Sequence, residues 1–184
     1  MHEEVIIAGF GGQGVMLIGQ MLVYAGMDEG KNVLWMPAYG PETRGGFANC
    51  TVIISDNEIY SPMISNPSSL IIMNLPSLDK FESSVKSGGF MVVNKSLVNR
   101  DVMRTDLDVV MIPATEIASE LGNIRAANMV ALGAYLSRRS VVSVESVTKI
   151  IPKMFPGKEK IVPLNIEALK KGADFVRAHG ATVA

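Results

Sequence analysis

The sequence predicts an α/β domain of three layers, with a mainly parallel central sheet and some antiparallel pairing. Three observations lead there. Short apolar runs alternate with helical stretches along the 184 residues. The first run, Val5-Ile6-Ile7-Ala8, passes straight into Gly9-Phe10-Gly11-Gly12-Gln13-Gly14 and then into a helical stretch, a strand–glycine turn–helix opening. An Asp56-Asn57 turn signal follows a later strand and points to a hairpin, hence to some antiparallel pairing. The length fits one domain, residues 1–184, with a sizeable core.

Taken in order, residues 5–9 read as a buried parallel strand, because the run is continuously apolar rather than alternating. Residues 13–29 read as a helix that is apolar on almost every side and is stopped by Gly30. Residues 33–36 form a second strand, expected to end at Pro37. Residues 37–47 carry two prolines, three glycines and no apolar period, so they read as a long functional loop. Residues 51–55 are a strand, with the turn signal and residues 58–60 behind it. Strands follow at 69–73, 90–93 and 108–112, with a short helix at 77–85. The last third is mostly helical: 115–121, 126–137, a helix capped by Ser143 and ended by Pro152, and a final helix capped by Asn165 with Gly180 past its end. Strands alternating with helices make the sheet Rossmann-like.

Composition narrows the function. Seventeen basic and eighteen acidic residues leave a net charge of −1. That argues against nucleic acid, whose phosphates demand a clustered basic surface. Glu3 and Glu4 precede the first apolar run, and Gly19, Gln20 and Gly26 interrupt the longest apolar stretch. Neither a secretion signal nor a membrane span is expected, and the expected location is cytoplasmic. Cys50 is the one cysteine, so the chain alone forms no internal disulfide and holds no iron–sulfur cluster. It reads as a small buried apolar residue rather than a nucleophile. His2 and His179 sit near opposite ends and support no histidine metal site. Twelve methionines and a mean hydropathy of +0.27 suggest a methionine-rich core, an apolar surface covered by a partner subunit, or both.

Two constellations carry chemistry. The glycine run has the spacing of a dinucleotide fingerprint, and a following helix aims its free N–H groups at the turn. The second strand, however, ends Leu34-Trp35-Met36-Pro37, without the acid that would hold a nicotinamide ribose. No Gly-Lys-Ser/Thr follows either, so it is no P-loop. The glycines therefore cradle some other group, or they only permit close helix–strand packing. The second constellation is Tyr39-Gly40-Pro41-Glu42-Thr43-Arg44-Gly45-Gly46, where Arg44 can clamp an anion and Glu42 can orient a neighbour. Both loops should open at the carboxyl edge of the sheet and be neighbours. Asn128 is a polar residue in an apolar helix. It is either satisfied by nearby backbone or braced against one of the glycine loops. The candidate cofactor-binding residues are Gly9, Gly11, Gly12, Gln13, Gly14, Glu42, Thr43, Arg44, Gly45 and Asn128. No catalytic residue and no metal ligand is assigned.

With these motifs in hand, the chain resembles the gamma subunit of the 2-oxoacid:ferredoxin oxidoreductases, the pyruvate/ketoisovalerate oxidoreductase family. The resemblance rests on the opening from Val5 to Gly14, on Gly40-Pro41-Glu42-Thr43-Arg44-Gly45-Gly46, and on Asn128-Met129-Val130-Ala131-Leu132-Gly133-Ala134, and it covers essentially the whole chain. It implies one subunit of an enzyme that decarboxylates a 2-oxoacid oxidatively with coenzyme A, giving carbon dioxide and an acyl-CoA and reducing ferredoxin. It further implies thiamine diphosphate mainly between alpha and beta subunits, and iron–sulfur clusters on beta or delta. This subunit is expected to pack on alpha and help shape the coenzyme A side. Pyruvate-type members often carry Arg where this chain has Phe10, so the 2-oxoglutarate type is expected. Branched-chain and indolepyruvate enzymes are close relatives. The isolated chain is expected to be inactive and able to form a homodimer. Two other classes stay open at this point: a free-standing nucleotide-dependent oxidoreductase, and a non-catalytic interaction module.

Overall fold

The computed structural model describes residues 1–40 and 46–179. Six strands form one sheet in the order β2-β3-β1-β4-β5-β6: β1 His2–Phe10, β2 Asn32–Tyr39, β3 Phe47–Ser55, β4 Ser69–Ile72, β5 Phe90–Asn94 and β6 Asp108–Ile112. Strands β1, β4, β5 and β6 pair in parallel. Strand β3 runs antiparallel to both β1 and β2, so β2 points the same way as β1. The sheet is mixed but mostly parallel, as expected. Six helices accompany it among the described residues: α1 Val15–Asp28, α2 Leu75–Phe81, α3 Ala114–Glu120, α4 Ala127–Arg138, α5 Val144–Met154 and α6 Val162–His179.

Successive residues of a strand face opposite sides of a sheet. Val5 and Ile7 of β1 therefore join an apolar cluster with α1, α4, α5 and α6, while Ile6 and Ala8 join a second cluster under α2. Burial on both faces is why β1 reads as a continuous apolar run. The methionines divide: Met21, Met73, Met91 and Met129 are buried, whereas Met27, Met63 and Met103 are exposed.

Helices α4 and α6 approach until their backbones touch. A Cβ on Gly133 would lie 2.8 Å from the Leu169 carbonyl carbon, and one on Gly172 would lie 2.8 Å from that of Val130. Deep in the same cluster, the Glu3 carboxylate accepts from the Ser69 and Tyr135 hydroxyls. Burial holds the Tyr135 phenol well above its ordinary pKa.

Four expectations are corrected. Pro37 does not end β2, which runs on to Tyr39 with Pro37 opposite Cys50. It is tolerated because β2 is the edge strand, where one side of the backbone needs no partner. The antiparallel pairing comes from β3, which runs against both β1 and β2, and not from Asp56-Asn57. Asp56 instead binds the N-terminal ammonium at 2.6 Å, and residues 58–60 form no strand. Pro152 lies inside α5, where it removes one N–H in the last turns without breaking the helix. Asn165 is no cap: it sits in the first turn of α6 and donates to the Ile161 carbonyl at 2.8 Å. Ser143 does cap α5, accepting from the Ser146 amide at 3.0 Å. Gly180 lies outside the described residues.

Candidate functional site

The carboxyl ends of β1 and β4 are neighbours, and from β1 the chain leaves toward β2 and β3 on one side and β4 to β6 on the other. This is the switch point at which open α/β sheets place ligands. The glycine turn occupies it. Gly12 (φ +97°) and Gly14 (φ +74°) adopt left-handed conformations that side chains avoid, and Gly14 is the N-cap of α1. The Gly14 carbonyl accepts the first helical bond from Ile18 at 3.1 Å. The positive end of a 14-residue helix therefore faces the turn.

Gln13 is a strut. Its Oε1 accepts from the Phe10 amide at 2.6 Å and from Asn74 Nδ2 at 3.0 Å, while its Nε2 donates to the Met73 carbonyl at 3.3 Å. One side chain thus ties the end of β1 to the end of β4. Gly9 is buried beneath it, and a Cβ there would lie 2.6 Å from Gln13 Oε1 and 3.0 Å from Met73 Cβ. Gly9 serves this packing. Asn128 lies on the far side of the turn, 3% exposed, its Nδ2 donating to the Gly14 carbonyl at 3.4 Å and its Oδ1 accepting from the Met129 amide at 2.9 Å. Both readings of Asn128 hold: its Oδ1 is satisfied by the neighbouring backbone and its Nδ2 reaches the first glycine loop.

The end of the second loop meets the first. The Gly11 amide donates to the Gly46 carbonyl at 2.8 Å, and Gly40 donates to Phe47 at 2.7 Å. Phe47 pairs with Phe10 across β1 and β3, and the Lys80 ammonium stands 4.1 Å above the Phe47 ring. Glu42, Thr43, Arg44 and Gly45 lie outside the described residues.

A crevice of about 220 Å³ opens beside the turn. Gly12 and Gln13 form one wall, Met73, Leu97 and Ala127 line its apolar part, and Asn94, Thr115, Ile124 and Arg125 complete it. None of these last four is among the residues expected from the sequence. A signal existed for Asn94: it is a polar residue directly after the apolar run 90–93, at the carboxyl end of a parallel strand, where α/β sheets hold ligands. Nothing comparable marked Thr115, Ile124 or Arg125, which reach the crevice from the segments around α3 and α4.

Cys50 offers no chemistry here. It is fully buried, its thiol donates to the Val15 carbonyl at 3.4 Å, and burial pushes its pKa up to about 11. Such a thiol is neither a nucleophile nor a fit ligand for an iron–sulfur cluster. Among the described residues, no helix is long and apolar enough to cross a membrane.

Known proteins resemble the chain in sequence and in fold. The chain is 40% identical over 175 residues to ketoisovalerate oxidoreductase subunit VorA of Methanothermobacter marburgensis, covering 95% of this chain and 36% of that protein. It therefore spans about a third of the length of that relative. It is 36% identical over 181 residues to 2-oxoglutarate synthase subunit KorC of Methanocaldococcus jannaschii, covering 96% of this chain and 95% of KorC. Among solved structures, the gamma subunit of a keto/oxoacid ferredoxin oxidoreductase from Geobacter sulfurreducens superimposes with a TM-score of 0.83 at 30% identity, covering 96% of this chain and 99% of that one. The 2-oxoglutarate:ferredoxin oxidoreductase of Magnetococcus marinus, solved with 2-oxoglutarate, coenzyme A and succinyl-CoA bound, shares the fold with a TM-score of 0.90 at 23% identity. The match covers 98% of this chain and 32% of that one. The sequence model of one family, pyruvate ferredoxin/flavodoxin oxidoreductase, matches residues 4–175, and the chain belongs to that family.

Proposed function

We propose that the chain is the gamma subunit of a 2-oxoacid:ferredoxin oxidoreductase and that its glycine turn forms one wall of the coenzyme A site. The observation that carries the reading is the crevice at the switch point, where the start of α1 and the glycine backbone face Asn94 and Arg125. A helix start and exposed glycine backbone suit phosphate groups, and the apolar walls suit the arm of a thioester carrier. Glu42, Thr43, Arg44 and Gly45 are further ligand contacts in this reading, and the Gly46–Gly11 bond supports it by bringing the end of that loop to the turn.

The remaining chemistry belongs to partner subunits. Thiamine diphosphate supplies a stabilised carbanion equivalent when bound there, and iron–sulfur clusters carry the electrons to ferredoxin. This chain binds and orients the carrier and excludes water around it. Alpha and beta subunits are the proposed partners, with delta in some assemblies. The oxoacid is proposed as 2-oxoglutarate, in line with KorC. A branched-chain oxoacid has equal support, because VorA is 40% identical over 175 residues where KorC is 36% identical over 181.

The test uses the assembled complex. Gly12→Ala places a methyl in the turn at φ +97°, and Arg44→Ala removes the loop cation. Each should raise the KM for coenzyme A roughly ten-fold or more, with the oxoacid KM nearly unchanged. Unchanged coenzyme A kinetics in both variants, with assembly intact, would leave the chain a structural subunit. Turnover of either oxoacid by the isolated chain would overturn the assignment outright.

A further inference from the structure

Asn94 is the last residue of β5 and is 0% exposed, yet half of its side chain is unused. Its Nδ2 donates to Thr115 Oγ1 at 3.0 Å, while its Oδ1 has no partner among the described residues. Turning the amide over does not remove the problem. The Thr115 hydroxyl would then donate to the oxygen, and the Nδ2 would be orphaned instead. Buried polar groups in native proteins are almost always satisfied, so an unsatisfied one calls for a cause.

Packing supplies no cause. The neighbouring walls are Met73, Leu97 and Ala127, and an aliphatic side chain of similar size would fill the place without an unpaired atom. The amide is instead held in position. The Thr115 amide donates to Ser96 Oγ at 3.1 Å, and the Ser96 hydroxyl bonds the Glu116 carboxylate. This chain of bonds ties the end of β5 to the first turn of α3 and fixes the side chain that orients Asn94. Asn94 is one of the residues that line the crevice, so the side chain with the unpaired atom is part of its wall.

We propose that Asn94 reads the ligand: its Oδ1 accepts a hydrogen bond from a neutral N–H group of the molecule whose phosphates rest on the glycine turn. This rests on the coenzyme A reading above. The crevice chemistry selects the ligand class. An unpaired acceptor beside apolar walls repels a free dicarboxylate, which brings only acceptors. It suits an amide or an amino-heterocycle carried on a phosphate, with Arg125 on the same wall for the anionic part. Two parts of coenzyme A carry such a group: the amides of the pantetheine arm and the exocyclic amine of the adenine.

The experiment measures coenzyme A affinity by calorimetry in the assembled complex, with Asn94→Leu, Thr115→Val and Gly12→Ala, and melting temperatures of the ligand-free chains. Asn94→Leu should weaken coenzyme A roughly ten-fold, the worth of one buried hydrogen bond. It should leave the ligand-free melting temperature unchanged or raised, because an orphaned polar atom has gone. Thr115→Val, which removes only the group that orients the amide, should weaken binding less, by roughly three-fold. Pantetheine and adenosine 3′,5′-bisphosphate as separate probes identify the donor, since only the fragment that carries it should lose affinity in Asn94→Leu. Affinity that falls in Gly12→Ala but is unchanged in Asn94→Leu and Thr115→Val overturns the role of Asn94 and leaves the coenzyme A site standing. Affinity indifferent to all three variants overturns both. A lowered melting temperature with unchanged affinity in Asn94→Leu makes Asn94 purely structural.

Discussion

Gly14 and Asn128 are 114 residues apart in sequence and in contact in the fold, which makes them a sensitive test of the glycine turn. Gly14→Ala meets two penalties. At φ +74° an L side chain costs roughly 1–2 kcal/mol. The added Cβ would also lie 2.9 Å from Asn128 Cγ and 3.3 Å from Asn128 Cβ, and closer still to the amide nitrogen. Asn128 is held by bonds to Gly14 and Met129, so it gives way only by breaking them. Overpacking of this kind costs about 1–3 kcal/mol. The single variant should therefore lose about 2–5 kcal/mol. Asn128→Ala loses two hydrogen bonds, one to the Gly14 carbonyl and one from the Met129 amide, about 1–3 kcal/mol together. In the double variant the backbone strain and the 3.3 Å approach to the residue 128 Cβ remain, but the contacts with Cγ and the amide nitrogen are gone. Its loss should fall short of the sum of the two singles by about 1–3 kcal/mol. Urea unfolding of the three variants and the parent, with the slope unchanged, measures each value. Additivity within about 0.5 kcal/mol would show that Asn128 is not pressed against the turn and would refute the reasoning.

Two further outcomes follow from the fold. Gly133→Ala and Gly172→Ala should each destabilise by about 1–3 kcal/mol through the α4–α6 backbone contact, against a helix-propensity gain of about 1 kcal/mol. Thermal melts check this, and a stabilised variant would mean the helices are not in contact there. Glu29 accepts from the Ser143 amide at 2.7 Å and pairs with Lys31 at 3.2 Å. Burial raises its pKa, but these partners prevail and bring it from 4.5 down to about 2. A carboxyl with a depressed folded pKa stabilises above its unfolded value and loses that contribution as pH falls through the folded one. Glu29→Gln should thus be less stable than the parent at pH 7, and the gap should close between pH 4.5 and 2. A gap constant across that range would contradict the assignment.

The antiparallel part of the sheet was foreseen for the wrong reason. Asp56-Asn57 is a sound local turn signal, but β3 pairs antiparallel with β1 and β2, and Asp56 is taken by the chain's own amino terminus. Pro37 looked like a strand end because it lacks an N–H. Only the strand order shows that β2 is an edge, where that lack is harmless. Asn165 has the residue type of a cap, yet the chain before it was already free to become helical.

The sequence by itself determined the class of the domain, its central strand and its glycine turn. These are local: a continuous apolar run needs burial on both faces, and Gly12 and Gly14 are required by the backbone angles of the turn itself. The motif pairing was also enough to point to the family. What the tertiary structure decided is which residues share the site. Gln13 became a strut, Gly9 the floor beneath it and Asn128 the support behind Gly14. Asn94, Thr115 and Arg125 joined the crevice. Those roles depend on contacts between segments far apart in the chain, which side-chain type and spacing do not encode.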